Sequence, residues 1–288
     1  MTMAGDFAGL PVVFLQNALN YRFRAENEQL LHDTGLCMLS ICRPGHGDTD
    51  PPAEGADALK TAADDIAAML DQLGYNKAVL MTSTNTAPFM YALAPMLEHR
   101  LYGLVPCTAL LPPAYLDETE SMSAWVKALS RALKKHPSLA RYFVKVGVPA
   151  WAKMGAKVFF SAQFQGDKEK LAQFTRPDFL AEAQHALETS AKQGTAGMAF
   201  DISQSFTDFS ADIDASNLPI LLIHGAKDEV FPISGVRRFA QDYSARARLV
   251  ELPDAGNLIL DLHVGEVCEA VKTLFPEPSV RASHADRS

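Results

Sequence analysis

The sequence predicts an α/β fold: a mostly parallel sheet of about six strands, interrupted by one long helical insertion. Two observations carry this reading. Short apolar runs alternate with amphipathic stretches towards both ends of the chain, as successive strand–helix–strand units require. Between Leu111 and Asn217 the alternation stops and only helix signals remain.

In chain order, strands are expected at Pro11–Gln16, Leu36–Cys42, Lys77–Met81, Leu101–Cys107, Pro219–His224 and Arg248–Leu252. Asp57 to Leu73 sets Ala62, Ile66, Met69, Leu70 and Leu73 on one helical face, and Gly74 ends it as a C-cap. Ala87–Leu97 and Val264–Phe275 read as two further packing helices. The insertion carries helix signals over Met122–His136, Leu139–Gly147, Trp151–Phe164 and Asp178–Lys192. A polar, proline-containing stretch from Pro276 to Ser288 is expected to be a disordered tail or a linker remnant. The expected organisation is a core over 1–110, a helical cap over 111–217, the rest of the core over 218–276 and a tail over 277–288.

Hydrophobic residues make up 48% of the 288 and charged residues 21%, which indicates a well-buried core. Lys and Arg number 26 against 34 Asp and Glu, and the net charge of −8 argues against an extensive nucleic-acid surface. Met1 to Leu10 shows no basic, apolar leader, and no apolar run is long enough to span a bilayer. The expected location is the cytoplasm, with neither membrane nor nucleic acid as a partner. Cys37, Cys42, Cys107 and Cys268 lack metal-ligand spacing, so buried reduced thiols are expected, with no metal and no cofactor.

A helical insertion between two strands of such a sheet lies over their carboxyl ends, where ligands sit. This one concentrates aromatic side chains, Trp151, Phe160 and Phe209 among them. Most are expected to hold the cap's own core together. A few, with Trp151 and Phe160 as candidates, are expected to face an apolar cleft.

Five segments carry the candidate chemistry. Val12-Val13-Phe14-Leu15-Gln16-Asn17 closes the first strand, and Cys42-Arg43-Pro44-Gly45-His46-Gly47-Asp48-Thr49-Asp50 follows the second. Thr82-Ser83-Thr84-Asn85-Thr86 joins a strand to a helix by a sharp turn. His224-Gly225-Ala226-Lys227-Asp228 and Pro253-Asp254-Ala255-Gly256-Asn257 follow two later strands. In this order and spacing they resemble the α/β-hydrolase superfamily, and the resemblance runs from Leu10 to Phe275. It implies the α/β-hydrolase fold, here without the N-terminal hairpin, since only nine residues precede Leu10. That early start, with Gln16 and Asn17 where members carry His-Gly, also resembles the α/β-hydrolase-like domains attached to bacterial transcriptional regulators. Those look like ligand-sensing modules, which leaves an effector domain or a homodimer as the expected protein partner.

The resemblance puts Thr84 at the nucleophile position, Asp228 at the acid and Asn257 at the base, with backbone N–H groups of Ala18 and Asn85 as the oxyanion hole. Each departure from the family pattern has a physical consequence. The nucleophile turn is usually G-x-S-x-G, because small neighbours relieve a strained backbone. Thr82 and Thr86 put β-branched side chains at both flanks, so the turn is expected to relax and lose its oxyanion geometry. Asn257 decides more. An amide does not titrate near neutrality, so it cannot take the hydroxyl's proton or return it to a leaving group. Loss of the base from such a machine costs on the order of 10⁶ in kcat.

No other histidine reads as a replacement. His263 and His224 are expected to be structural, and His46 is a candidate ligand contact. Asp228, left without its imidazole, is expected to hydrogen-bond nearby backbone or Asn257. An imidazole reaching Asp228 from elsewhere in the chain would favour an enzyme. The functional expectation is a protein that binds or senses a small apolar molecule between core and cap. Gln16, Asn17, Ser83, Thr84, His46, Trp151, Phe160 and Asn257 are its candidate contacts. Two alternatives stand beside it: an atypical enzyme of the superfamily (weak esterase, lyase or cofactor-free oxygenase), and a structural pseudo-enzyme that binds another protein.

Overall fold

The computed structural model describes residues 1–16, 27–46, 49–50, 54–116, 131, 135–136, 138–163, 172, 175–192, 207–228 and 230–275. The tail, most of the helix expected over 122–136, Asn17 and Ala18 lie outside them. The strands are β1 (Thr2–Gly5), β2 (Leu10–Leu15), β3 (Leu36–Ile41), β4 (Ala78–Ser83), β5 (Leu101–Cys107), β6 (Ile220–Gly225) and β7 (Ala247–Leu252). They form one seven-stranded sheet in the order β1-β3-β2-β4-β5-β6-β7. β2 to β7 pair in parallel, and β1 adds antiparallel to the outer side of β3.

β1 corrects the expectation that the sheet begins at residue 11. Its sequence, Thr-Met-Ala-Gly, has neither an apolar run nor strict alternation to announce it. It pairs with β3 rather than forming a hairpin with β2. The other six expected strands match to within two residues at their ends.

The strands alternate between two cores, as a pleat of period two requires. Val13 and Leu15 of β2, Leu80 of β4 and Leu222 of β6 face one side. That side is covered by α2 (Ala58–Leu73), α3 (Ala87–Leu97) and α8 (Ile233–Asp242). Val12 and Phe14, Val79 and Met81, and Leu221 and Ile223 face the other, against α1 (Glu28–Asp33), α9 (Ile259–Leu262) and α10 (Val264–Leu274). α2 starts where the Asp57 carboxylate accepts from the backbone of Leu59 and Lys60 at 2.9 and 3.2 Å. It ends at Gly74, φ +76. An N-cap of this kind contributes about 1 kcal/mol.

Between β5 and β6 the described elements are helical. α4 (Ser138–Met154) runs through Gly147 and Pro149, and the break comes later than expected, at Gly155 with φ +96, before α5 (Ala156–Gln163). Gln184 of α6 (Pro177–Lys192) sews that break. Its Oε1 accepts from the Ala156 backbone at 2.8 Å and its Nε2 donates to Ala152 O at 2.9 Å, serving both orphaned helix ends at once. Phe160, Ala183 and Leu187 form the cap's own small core. Phe209, grouped with the cap by sequence, instead lies under the sheet. It is buried against Tyr91 of α3, ring centroids 5.9 Å apart, just ahead of α7 (Ser210–Asp214). Among the described residues, no helix is long and apolar enough to cross a membrane.

Candidate functional site

The carboxyl ends of the parallel strands bring the candidate residues to one edge of the sheet, the usual place for a site in such folds. At the end of β4, Ser83 is still extended and buried. Thr84 then turns to φ +51, and a short 3₁₀ turn over Thr84–Thr86 leads into α3. A β-branched residue in the left-handed region costs about 1–2 kcal/mol, so the surroundings must hold it there. Leu110 N donates to Thr84 O at 2.9 Å and is one such hold.

The expectation that Thr82 and Thr86 would relax this turn is therefore corrected. Both side chains are fully buried beside it, and Thr82 Oγ1 donates to Leu15 O at 3.2 Å. The neighbouring strand and helix take up the extra methyl groups, and the strained backbone remains. Thr86 Oγ1 has no hydrogen-bond partner among the described residues, the one visible cost of the exchange.

The turn keeps its strained backbone, and among the described residues the hydrogen-bond partner of the hydroxyl is an amide and not a base. Thr84 Oγ1 donates to Asn85 Oδ1 at 3.1 Å, a neutral amide oxygen that cannot hold the proton. Asn257 is half-buried, and its backbone carbonyl accepts from Thr108 Oγ1 at 3.3 Å. Thr108 was missed by sequence reasoning. It sits at φ +40 directly after β5, buried, with its N–H on Ile223 O at 2.9 Å. The segment 108–110 thus bridges the Asn257 loop to Thr84. Its one sequence signal is position, a polar residue at the carboxyl end of the strand beside the turn.

Asp228, expected at the acid position, is bonded to the backbone of its own loop. Its Oδ1 accepts from the backbone of Val230 and Phe231 at 2.7 and 3.0 Å, stapling the loop that enters α8. An imidazole does reach it, from the end of β6. His224 Nε2 lies 3.2 Å from Asp228 Oδ2 and 2.7 Å from Phe231 O. One ring N–H cannot serve both acceptors fully, and the shorter bond takes it. Oδ2 is accordingly left without an aligned hydrogen bond among the described residues. Both side chains are buried, so this imidazole is enclosed within the loop instead of being offered to Thr84. The acid and base loops meet backbone to backbone: a Cβ on Gly225 would fall 2.2 Å from Gly256 O.

The remaining candidates are mostly committed to packing. Gln16 is buried and its Oε1 accepts from Cys42 Sγ at 3.1 Å, tying the end of β2 to that of β3. Arg43 Nη2 donates to His46 Nε2 at 3.1 Å. A guanidinium has no lone pair to offer, so the ring proton sits on Nδ1, 3.3 Å from Pro44 O. His46 Nε2 is thereby occupied. Arg43 also lies over the Phe89 ring of α3 at 4.8 Å, which docks this loop onto the helix that follows the turn. Trp151 and Phe160 join the cap core, linked edge to face through Phe159 at 5.3 and 5.2 Å. Leu258 packs against that same cluster, so the residue beside Asn257 is where the cap touches the base loop. Burial pushes the Cys107 thiol up, and the Cys268 thiol up to about 12, which leaves both inert as nucleophiles near neutral pH. Among the described residues, no group of three His, Cys, Asp or Glu side chains is placed to hold a metal ion.

Solved structures of similar architecture include an enol-lactonase from Burkholderia xenovorans, with 20% identity over 95% of this chain and 94% of that one and a TM-score of 0.62. An esterase from Thermogutta terrifontis has 20% identity over 94% and 90% of the two chains and a TM-score of 0.61. Epoxide Hydrolase A from Mycobacterium thermoresistibile has 17% identity over 96% and 95% and a TM-score of 0.62. Likeness at this identity shows a shared fold. The sequence profile described as "Alpha/beta hydrolase family" matches residues 9–270, nearly the whole chain, and with the seven-stranded sheet and the strained turn at Thr84 it establishes that the chain belongs to the alpha/beta hydrolase family.

Proposed function

We propose that this member of the family binds a small, largely apolar molecule at the mouth of the Thr84 turn, between sheet and cap, without hydrolysing it. The observation that carries the reading is the pairing of a kept strain with a missing base. Thr84 holds φ +51 while its hydroxyl donates to Asn85 Oδ1. Strained residues persist where the surroundings hold them, and they cluster at ligand sites as well as catalytic ones. Neutral polar groups stand at the edge: the Thr84 hydroxyl bonded to the Asn85 amide, and the half-buried Asn257 on the neighbouring loop. They suit a carbonyl-bearing or phenolic ligand held by hydrogen bonds in an otherwise apolar setting. The net charge of −8 supports a protein that takes no nucleic acid, and a cytoplasmic location is part of the same proposal.

A second reading, an atypical enzyme, has one observation in its favour, the approach of His224 to Asp228. One experiment separates the two. Under the binding reading, the protein turns over no short-chain nitrophenyl ester and takes no fluorophosphonate label. Apolar carbonyl or phenolic compounds raise its melting temperature with concentration, by up to about 2.7 kcal/mol of stabilisation at a hundred-fold excess over Kd. Stoichiometric labelling at Thr84 or Ser83 overturns it in favour of the enzyme.

A further inference from the structure

On α4, Leu139, Tyr142, Val146 and Met154 are 46%, 69%, 53% and 51% exposed, with Ala150 exposed between them. Steps of three and four residues put all five on one helical face. The buried Val144 and Val148 sit on the opposite side of the helix. Val158 of α5, next along the chain, is 47% exposed. Lys145, Lys153 and Lys157 are exposed beside these residues, and 138–163 contain no Asp or Glu. The chain as a whole carries −8 and α6 of the cap is itself acidic, with Glu182 and Glu188 exposed, so it is α4 and α5 that reverse the charge locally.

We propose that this face docks onto an anionic phospholipid surface. An apolar stripe with lysines beside it and no acids is the arrangement that lies in a membrane interface. The apolar groups enter the headgroup boundary while the lysine stems extend along it, their ammonium groups on lipid phosphates. Tyr142, the most exposed of the four large side chains, has the amphipathic ring favoured at that depth. From 139 to 154 the stripe runs about 22 Å, long enough to lie along a surface. The acidic remainder of the chain does not forbid this, because charges more than about 8 Å away are largely screened at physiological ionic strength. A second copy is the weaker fit, since two such faces would oppose lysine to lysine with no carboxylate in either helix to answer. The sequence expectation of no membrane partner drew on the lack of a basic, apolar leader and of a spanning run. Neither describes a local face of this kind, and docking here requires no ligand at Thr84.

The test uses the full chain, sedimented with vesicles of phosphatidylcholine alone and of phosphatidylcholine mixed with phosphatidylserine. The protein is expected to sediment with the mixed vesicles only, and less as salt rises. Lys153→Gln and Lys157→Gln should each weaken partitioning about fivefold. Tyr142→Ser with Val146→Ser should abolish it. These positions are exposed, so all variants should keep the melting temperature of the parent, which separates lost docking from lost folding. Four outcomes overturn the proposal: no sedimentation with mixed vesicles, equal sedimentation with both kinds, parent-like binding by the variants, or binding to soluble polyglutamate without binding to vesicles. A concentration-dependent dimer that Tyr142→Ser dissolves, with no vesicle binding, would assign the face to a second copy and overturn it too.

Discussion

The turn after β4 and the loop after β6 meet at the same edge of the sheet, yet they keep different things. At Thr84 the backbone geometry of a nucleophile turn survives, φ +51 included, although the hydroxyl points its proton at an amide. At Asp228 the carboxylate survives, although its oxygens are given to the backbone of Val230 and Phe231 and to the neighbourhood of His224. One region holds a strained shape while its hydroxyl is bonded to an amide, and the other holds a carboxylate bonded to backbone. The difference teaches that the strained shape of the turn and the placement of the carboxylate are held independently of one another. The turn is held from outside by β2, by Leu110 and by α3, and none of these requires a histidine at position 257.

The sharpest way to break this comparison is to return the chemistry to the kept shape. Thr84→Ser with Asn257→His restores a hydroxyl free of its methyl and an imidazole in the loop that segment 108–110 bridges to the turn. A positioned general base contributes about 10²–10⁴ in rate. Labelling by a fluorophosphonate should therefore be faster by about 10²–10⁴ in the double variant than in Thr84→Ser alone, read as the pseudo-first-order rate of adduct formation by mass spectrometry. No gain would mean that the frame is kept only in outline, since a misplacement of about 1 Å can cost on the order of 10².

The acid loop gives the next largest effect, in stability instead of rate. If Asp228 is a staple, Asp228→Ala strands two part-buried backbone N–H groups and costs about 1–3 kcal/mol by urea unfolding. Asp228→Asn keeps an acceptor for both and should cost less. Equal and negligible costs for the two substitutions would remove the structural role and leave the carboxylate available for chemistry.

The parts of this molecule that were legible in the sequence are those governed by periodicity. The five strands β2 to β6 show as apolar runs because both their faces are buried, and α2 shows because a 3.6-residue stripe ends at a glycine. β1 was not legible, since a short edge strand packed on one neighbour needs no apolar run. Thr84, Asp228 and Asn257 were singled out by their order along the chain, but what each touches was not written there. The accommodation of Thr82 depends on a carbonyl at Leu15, 67 residues away in sequence, and sterics judged from the turn alone missed it. Thr108 was invisible for a related reason: a left-handed threonine looks like any other threonine until its strand is paired.

The smallest expected effect tests the strain itself. Glycine adopts φ +51 without steric cost, whereas threonine there costs about 1–2 kcal/mol. Against that gain stand glycine's extra freedom in the unfolded chain, about 0.4–1 kcal/mol, and the loss of a part-exposed hydrogen bond to Asn85. Thr84→Gly should consequently stabilise the protein by roughly 0.5 kcal/mol, read as a rise in the urea midpoint at unchanged slope. Thr108→Gly relieves a similar strain at φ +40 but gives up a more buried bond to Asn257 O, so its net change should be nearer zero. A clear loss of stability in Thr84→Gly would show that the threonine is favoured by its contacts and not merely tolerated. The kept shape would then be a consequence of that residue, and not of the strands and helix around it.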